Sequence, residues 1–312
     1  MDRNDVDWAG YLPAVTTPFD RDGAIRWDDF AVQTEWLVRE TMHGMVLAGT
    51  TGEWFSLTER ERAELFTEGA RNAAGRFTVI GGCNAYTAEE VVRHVRAAER
   101  AGLDGVLVSP PPYVVPSRRE IVQFFRDVSD ATEIPICVYN WPRGCAVDLD
   151  VETLAEIAEI DHVVAIKNST GNFAAFLDGL YGLGHRVRYF GMPTNALGID
   201  LVNAGRGDGL MGAGAVLGAD HPNFWRALAE GDTARALALG GRDRELMADW
   251  VSPDFGAKFG SLQSVMKTAL RMRGVPAGYV RKPLLELLPD EAAIVAGTLT
   301  RLGIPIVEHA AQ

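Results

Sequence analysis

Three short stretches of this 312-residue chain combine residue types capable of covalent chemistry. The apolar run Val163, Val164, Ala165, Ile166 ends in Lys167. A lysine that interrupts a buried strand loses hydration of its charged form, so its pKa falls and the neutral amine needed for a Schiff base becomes accessible. The same lysine at a solvated strand end has no such property, and the local sequence admits both readings. Tyr139, 28 positions earlier, closes a second apolar run and is followed by Asn140, Trp141 and Pro142. A phenol there can exchange a proton, or simply pack with its hydroxyl satisfied. The third stretch is Gly49, Thr50, Thr51, Gly52, Glu53. Its glycines permit a tight turn and its threonines offer N–H groups and hydroxyls, which makes an anion cradle or an ordinary capped turn.

Such groups act together only if a scaffold brings several strand ends to one rim. Short Val- and Ile-rich segments alternate with stretches of helical period. Candidate strands cover 11 to 19, 44 to 50, 77 to 83, 105 to 110, 135 to 140, 163 to 169, 186 to 192 and 209 to 214. Helical patterns lie between them at 27 to 40, 58 to 74 and 87 to 101, the last two opening on Thr58 and Thr87 with acidic first turns. Near-continuous apolar strands imply a parallel sheet covered on both faces, and eight βα units fit a closed (β/α)8 TIM barrel better than an open sheet. After residue 230 the strand signal stops, and helical patterns follow at 232 to 250, 257 to 273 and 290 to 302, separated by Pro253, Pro276, Pro283 and Pro289. The domain reading is therefore a catalytic barrel over 1 to 230 and a C-terminal helical region over 231 to 312. Barrel active sites form at the C-terminal ends of the strands, where Thr50, Tyr139 and Lys167 fall. Strict alternation puts Lys167 on one face with Ala165 and Val163.

Thirty Lys and Arg against forty-two Asp and Glu give a net charge of −12, which repels nucleic acid and anionic membranes alike. Neither is an expected partner, although one lysine or a few N–H groups suffice to hold a small anion. Cys83, Cys137 and Cys145 form no C-x-x-C pair, no apolar leader is visible and no run of about 18 apolar residues occurs, so a cytoplasmic protein without disulfides is expected. The histidines at 43, 94, 162, 185, 221 and 309 form no ligand pair, so no metal is expected and each reads as a surface or loop residue. The glycine-rich segment 205 to 218 falls at the eighth strand. It supports a rival reading, a barrel that binds a phosphorylated ligand without covalent chemistry, but tight strand-helix packing explains it equally.

In order along the chain, GTTGE at 49, YNWP at 139 and IKNSTG at 166 resemble the dihydrodipicolinate synthase/N-acetylneuraminate lyase family of class I aldolases. The likeness runs from AVTTPF (14 to 19) to RKPL (281 to 284). The resemblance implies a homotetrameric TIM barrel, a dimer of dimers, with C-terminal helices. It implies a Schiff base to pyruvate or a related 2-oxo acid, with no cofactor beyond the lysine itself. Lys167 would form the imine and Tyr139 would shuttle protons. Thr50 and Thr51, beside Gly49, would hold the substrate carboxylate through backbone N–H groups. The Thr50 hydroxyl would link Tyr139 to a second tyrosine, which in the synthases comes from a neighbouring subunit and is matched here by Tyr113. Met211 and Gly191 fall where the family lines its pocket.

Departures from the family pattern bear on the substrate. The synthases carry Y-N-x-P-x-R-T-G, whereas YNWPRGCAVD sets Arg143 one position early, so gripping a carboxylate with Arg143 requires a one-residue shift of backbone. The expected activity is C–C bond formation or cleavage on pyruvate or a related 2-oxo acid. The alternatives are 4-hydroxy-tetrahydrodipicolinate synthesis, the phosphate-binding barrel above, and dehydration of a 3-deoxy-2-oxo sugar acid of the 5-dehydro-4-deoxyglucarate type. GEWFSL and GMPT (191 to 194) resemble the dehydratases. Trp54, Phe55, Glu59 and Arg62, with Pro112 before Tyr113, depart from the feedback lysine site of some synthases. Trp141, Trp54 and Phe55 near the mouth predict apolar walls and discrimination against aspartate semialdehyde.

Overall fold

The computed structural model describes residues 1 to 307. Eight parallel strands, β1 (Gly10–Tyr11), β2 (Gly44–Leu47), β3 (Thr78–Gly82), β4 (Gly105–Val108), β5 (Ile136–Asn140), β6 (Val163–Asn168), β7 (Arg188–Phe190) and β8 (Gly209–Leu210), pair in the order 1-8-7-6-5-4-3-2. Parallel bridges from Ala14 to Val46 and to Ala213 join the two ends, completing a (β/α)8 TIM barrel. The first strand is far shorter than the apolar run 11 to 19 suggests. Pro13 and Pro18 lack N–H donors, so the ladder is intermittent beyond Tyr11.

The barrel is wrapped by α1 (Trp27–Arg39), α2 (Glu59–Ala73), α3 (Ala88–Ala101), α4 (Arg118–Ser129), the single turn α5 (Pro142–Cys145), α6 (Val151–Ala158), α7 (Phe173–Leu183), α8 (Ala196–Asn203) and α9 (Asp220–Ala229). Thr58 and Thr87 start α2 and α3 with reciprocal capping boxes to Glu61 and Glu90. Then come α10 (Thr233–Trp250), α11 (Leu262–Met272) and α12 (Pro289–Arg301). Helix α11 starts five residues later than the periodicity suggests, because Gly260 takes a left-handed conformation and Ser261 then caps the helix through the Ser264 N–H.

Two apolar cores result. The inner one fills the barrel with Leu12, Val46, Ile80, Leu107, Cys137 and Phe190 above a floor made by Trp8. Gly105 is required beneath that floor, since a Cβ there would lie 2.3 Å from the Trp8 ring. The outer core lies between strands and helices and includes Leu246 and Trp250 of α10, Met266 of α11 and Val295 of α12. The C-terminal helices therefore share the core of the barrel helices.

Strict alternation fails in β6. Ile136 pairs with Val163 but Cys137 pairs with Ala165, leaving Val164 as an extra residue. This is a β-bulge. Val163 consequently packs in the outer core while Val164 and Ala165 both face inward, so Lys167 shares its face with Ala165 and not with Val163.

Candidate active site

Beyond the bulge, β5 and β6 run in register, with Tyr139 opposite Lys167 and Asn140 opposite Asn168. Adjacent parallel strands then hold the amine against the phenol, and the Lys167 Nζ lies 4.3 Å from the centre of the Tyr139 ring. Lys167 is only 8% exposed. Burial pulls its ammonium down to about 8, with a small opposing effect from Cys137. Burial also pushes the Tyr139 phenol well above its ordinary range, and the nearby Ser169 and Thr50 hydroxyls oppose that rise. At neutral pH the phenol is therefore protonated and acts as a donor.

A buried polar network pins both strand ends from behind. The Asn140 side-chain amide donates to Asp148 (2.8 Å) and to the Asn168 side-chain Oδ1 (3.0 Å), while the Asn168 side-chain amide donates to the Tyr189 hydroxyl (2.7 Å). The Thr170 hydroxyl donates to the other Asp148 oxygen at 2.6 Å. Asn140 and Asn168, the neighbours of Tyr139 and Lys167, are thereby fixed, which fixes the backbone from which the phenol and the amine project.

A cavity of about 150 Å³ opens above these residues, with Thr50, Thr51, Trp141 and Met211 on its walls beside Tyr139 and Lys167. Trp141 stacks on Tyr139 with ring centres 5.6 Å apart. The remaining residues singled out above do not line it. Gly49 sits one residue behind the wall against Ala14. Gly191 lets β7 approach β6 where a Cβ would strike the Asn168 carbonyl oxygen at 2.3 Å. Trp54 begins a 3-10 turn and packs on Tyr86 and over the Arg62 guanidinium. Arg143 points outward, ion-paired with Asp254. Tyr113 is 88% exposed with a left-handed φ of 75°, and it does not reach the cavity of its own chain.

Other cavity residues carry little local signal in the sequence. Ser169 follows the lysine strand and reaches Tyr139. Tyr11, His221 and Asp243 form a far end, with the His221 ring stacked on Tyr11 at 4.0 Å. The reading of all histidines as surface or loop residues is corrected here. His221 and His94 are buried in helices, and burial lowers both pKa values, that of His94 to about 4. His309 lies outside the described residues. Among the described residues no cluster of His, Cys, Asp or Glu could hold a metal ion.

The threonine turn is clamped by the C-terminal helices. Gln263 of α11 donates to the Thr50 carbonyl at 2.9 Å, and Thr17 donates to that of Gly52 at 2.8 Å. Lys267 and Glu53, both 0% exposed, form an ion pair at 2.5 Å. The pair is braced by further hydrogen bonds, since Lys267 also donates to the Tyr279 carbonyl (2.6 Å) and the Arg281 N–H donates to Glu53 (2.9 Å). Removing one partner leaves an uncompensated buried charge, so Lys267→Met is expected to cost about 3 to 5 kcal/mol. Chemical denaturation of Lys267→Met and of the double variant Lys267→Met/Glu53→Gln checks this. The double variant should recover part of the loss, and a single variant as stable as wild type would show that the clamp carries no load.

The chain is similar to known proteins along nearly its whole length. The chain is 32% identical over 306 residues to the 4-hydroxy-tetrahydrodipicolinate synthase of Moorella thermoacetica, covering 96% of this chain and all of that one. It is 29% identical over 291 residues to an uncharacterized DapA-like lyase of Rhizobium meliloti, covering 90% and 91%. The crystal structure of dihydrodipicolinate synthase from Aquifex aeolicus superposes with a TM-score of 0.84 at 26% identity, over 96% of this chain and 99% of that one. The profile that matches residues 7 to 302 spans the lysine strand, the tyrosine strand, the threonine turn and the helices that clamp it, and by that match the chain belongs to the dihydrodipicolinate synthetase family.

Proposed function

We propose that the protein is a Schiff-base lyase that joins pyruvate to, or releases it from, an aldehyde fragment. The observation that carries this reading is Lys167, buried and largely uncompensated, facing the Tyr139 phenol inside a cavity edged by two threonines. Its neutral amine adds to the C2 carbonyl of pyruvate, whose oxygen takes a proton from Tyr139 while the new ammonium nitrogen returns one to the phenolate. The restored phenol then protonates the carbinolamine hydroxyl, which leaves as water, and the iminium remains beside a phenolate that takes the C3 proton and later gives it to the aldehyde oxygen. Loss of a C3 proton gives the enamine, and C3 then attacks the aldehyde carbon while the aldehyde oxygen gains a proton. Water hydrolyses the product imine and restores the amine. Cleavage runs the same steps backwards. Lys167 supplies the covalent chemistry, so no metal or cofactor enters any step.

The proposal extends to the assembly and to the chain's division of labour. Residues 1 to 230 are assigned to the catalytic barrel, and the helical region from 231 onward to closing and clamping its mouth. The exposed Tyr113, held in a left-handed conformation beside a similarly strained Val115, suits insertion into a neighbouring copy within a homotetramer. Three buried free thiols suit a reducing cytoplasm.

Borohydride reduction in the presence of pyruvate tests the reading and its pH dependence together. A secondary amine is expected on the Lys167 peptide by mass spectrometry. Because the amine must be neutral to attack, the trapping rate should fall about tenfold per pH unit below about 8 and level off above it. Turnover without any modification of Lys167 would overturn the mechanism.

A further inference from the structure

We infer that the partner aldehyde, or the distal half of the 2-oxo acid when the enzyme cleaves, is an uncharged hydrocarbon chain and not a carboxylated one. The inference rests on the Schiff-base reading above and concerns the other half of the same cavity.

Past the imine-forming lysine the cavity runs beneath the C-terminal helices. Its walls there are Leu246, Met247 and Val251 from α10 and its end, Phe255, and Leu262 and Met266 at α11. A carboxylated tail would need a cation or several converging N–H donors in this space, where the helices present hydrocarbon side chains. Among the described lining residues Lys167 is the only lysine or arginine, and the imine consumes it. Arg143, the remaining candidate, is turned outward onto Asp254 and packs over Gly256.

The far end carries the opposite sign. Asp243 accepts a hydrogen bond from the Thr194 hydroxyl at 2.8 Å, and its nearest imidazole, His221, stands 3.9 Å away. His221 is buried in a stack on Tyr11 and does not offset the carboxylate with a permanent charge. An anionic tail would therefore lose its hydration to hydrocarbon walls and meet a carboxylate, whereas a hydrocarbon tail gains by leaving water. At about 0.8 kcal/mol per buried methylene, each added CH2 should raise kcat/KM about fourfold until the space is filled.

The test uses the full-length enzyme with pyruvate and the straight-chain aldehydes from propanal to hexanal, compared with succinic semialdehyde. The expected result is a stepwise rise in kcat/KM along the alkyl series, with succinic semialdehyde at least a hundredfold below butanal. Met247→Arg, which places a cation in a half-buried wall, should narrow or reverse that ratio, and Asp243→Asn should narrow it. Equilibrium binding of 1-pentanol against 4-hydroxybutyrate to Lys167→Met saturated with pyruvate reads the same preference with no imine formed, no free amine and the threonine turn already occupied. Equal or better use of succinic semialdehyde, a flat alkyl series, or tighter binding of 4-hydroxybutyrate would each overturn the inference. Failure to trap pyruvate on Lys167 would instead count against the Schiff-base mechanism, and the binding comparison would still decide the character of the cavity.

Discussion

Lys167→Ala should abolish turnover, with a loss on the order of 10⁶-fold, comparable to removing the nucleophile from other covalent enzymes. In the proposed mechanism the whole reaction runs through one amine, and among the described cavity residues no second lysine stands ready to replace it. Stability should move the other way. In the unfolded chain a lysine titrates near 10.4, and burial brings Lys167 down to about 8, so the folded state binds this proton less tightly. The resulting penalty, about 3 kcal/mol, is fully present below pH 8 and disappears as pH rises from about 8 to 10.5. Lys167→Met should accordingly be inactive yet melt at a higher temperature than wild type at pH 7, with the gap closing at alkaline pH. An inactive variant that melts lower would mean that the amine is favourably bound in the ground state. The two readouts together separate a reacting group from a structural one.

Tyr139→Phe is expected to cost 10²- to 10⁴-fold in kcat, the range of a positioned proton donor or acceptor. The ring remains, so its stack on Trp141 and its place under the Lys167 Nζ are retained. Pyruvate should still bind and be trapped by borohydride, more slowly, because carbinolamine formation and water loss both need a proton delivered to oxygen. The Ser169 and Thr50 hydroxyls are the groups hydrogen-bonded to the phenol. A loss below about tenfold with unchanged stability would make the phenol a packing residue.

Much of this cavity was legible in the sequence because Lys167 and Tyr139 each end an apolar run. A lysine after Val-Val-Ala-Ile and a tyrosine after Ile-Cys-Val can only sit at a strand's end, and barrel geometry sends all such ends to one rim. Thr50, Thr51, Trp141 and Met211 meet there for the same reason. What local pattern could not show are contacts between distant segments. Leu246 and Met247 read as ordinary core positions of an amphipathic helix, and only the docking of α10 over the mouth turns them into cavity wall. Glu53 and Lys267 are 214 positions apart and share no motif. Trp54 was expected at the mouth by its place after the threonine turn, but the left-handed Glu53 redirects the chain and Arg62 draws the indole sideways. The one-residue offset of Arg143 carries no direction of its own, and Asp254, on a separate loop, decides where it points.

Val164 has a consequence for how this strand is counted. Taken by twos from Val163, which packs against the helices, Lys167 belongs to the helix layer and Asn168 to the barrel interior. Taken back from Tyr139 across the sheet, the assignments are reversed, and that is the observed state. The strand is thus written in two reading frames, one set by its packing at the base and the other by the chemistry at its tip. Val164 is the single-residue frameshift between them. A gapless, position-by-position comparison with an unbulged strand would match the correct residue types to the wrong sides of the wall, placing the amine among helices and an amide at the cavity.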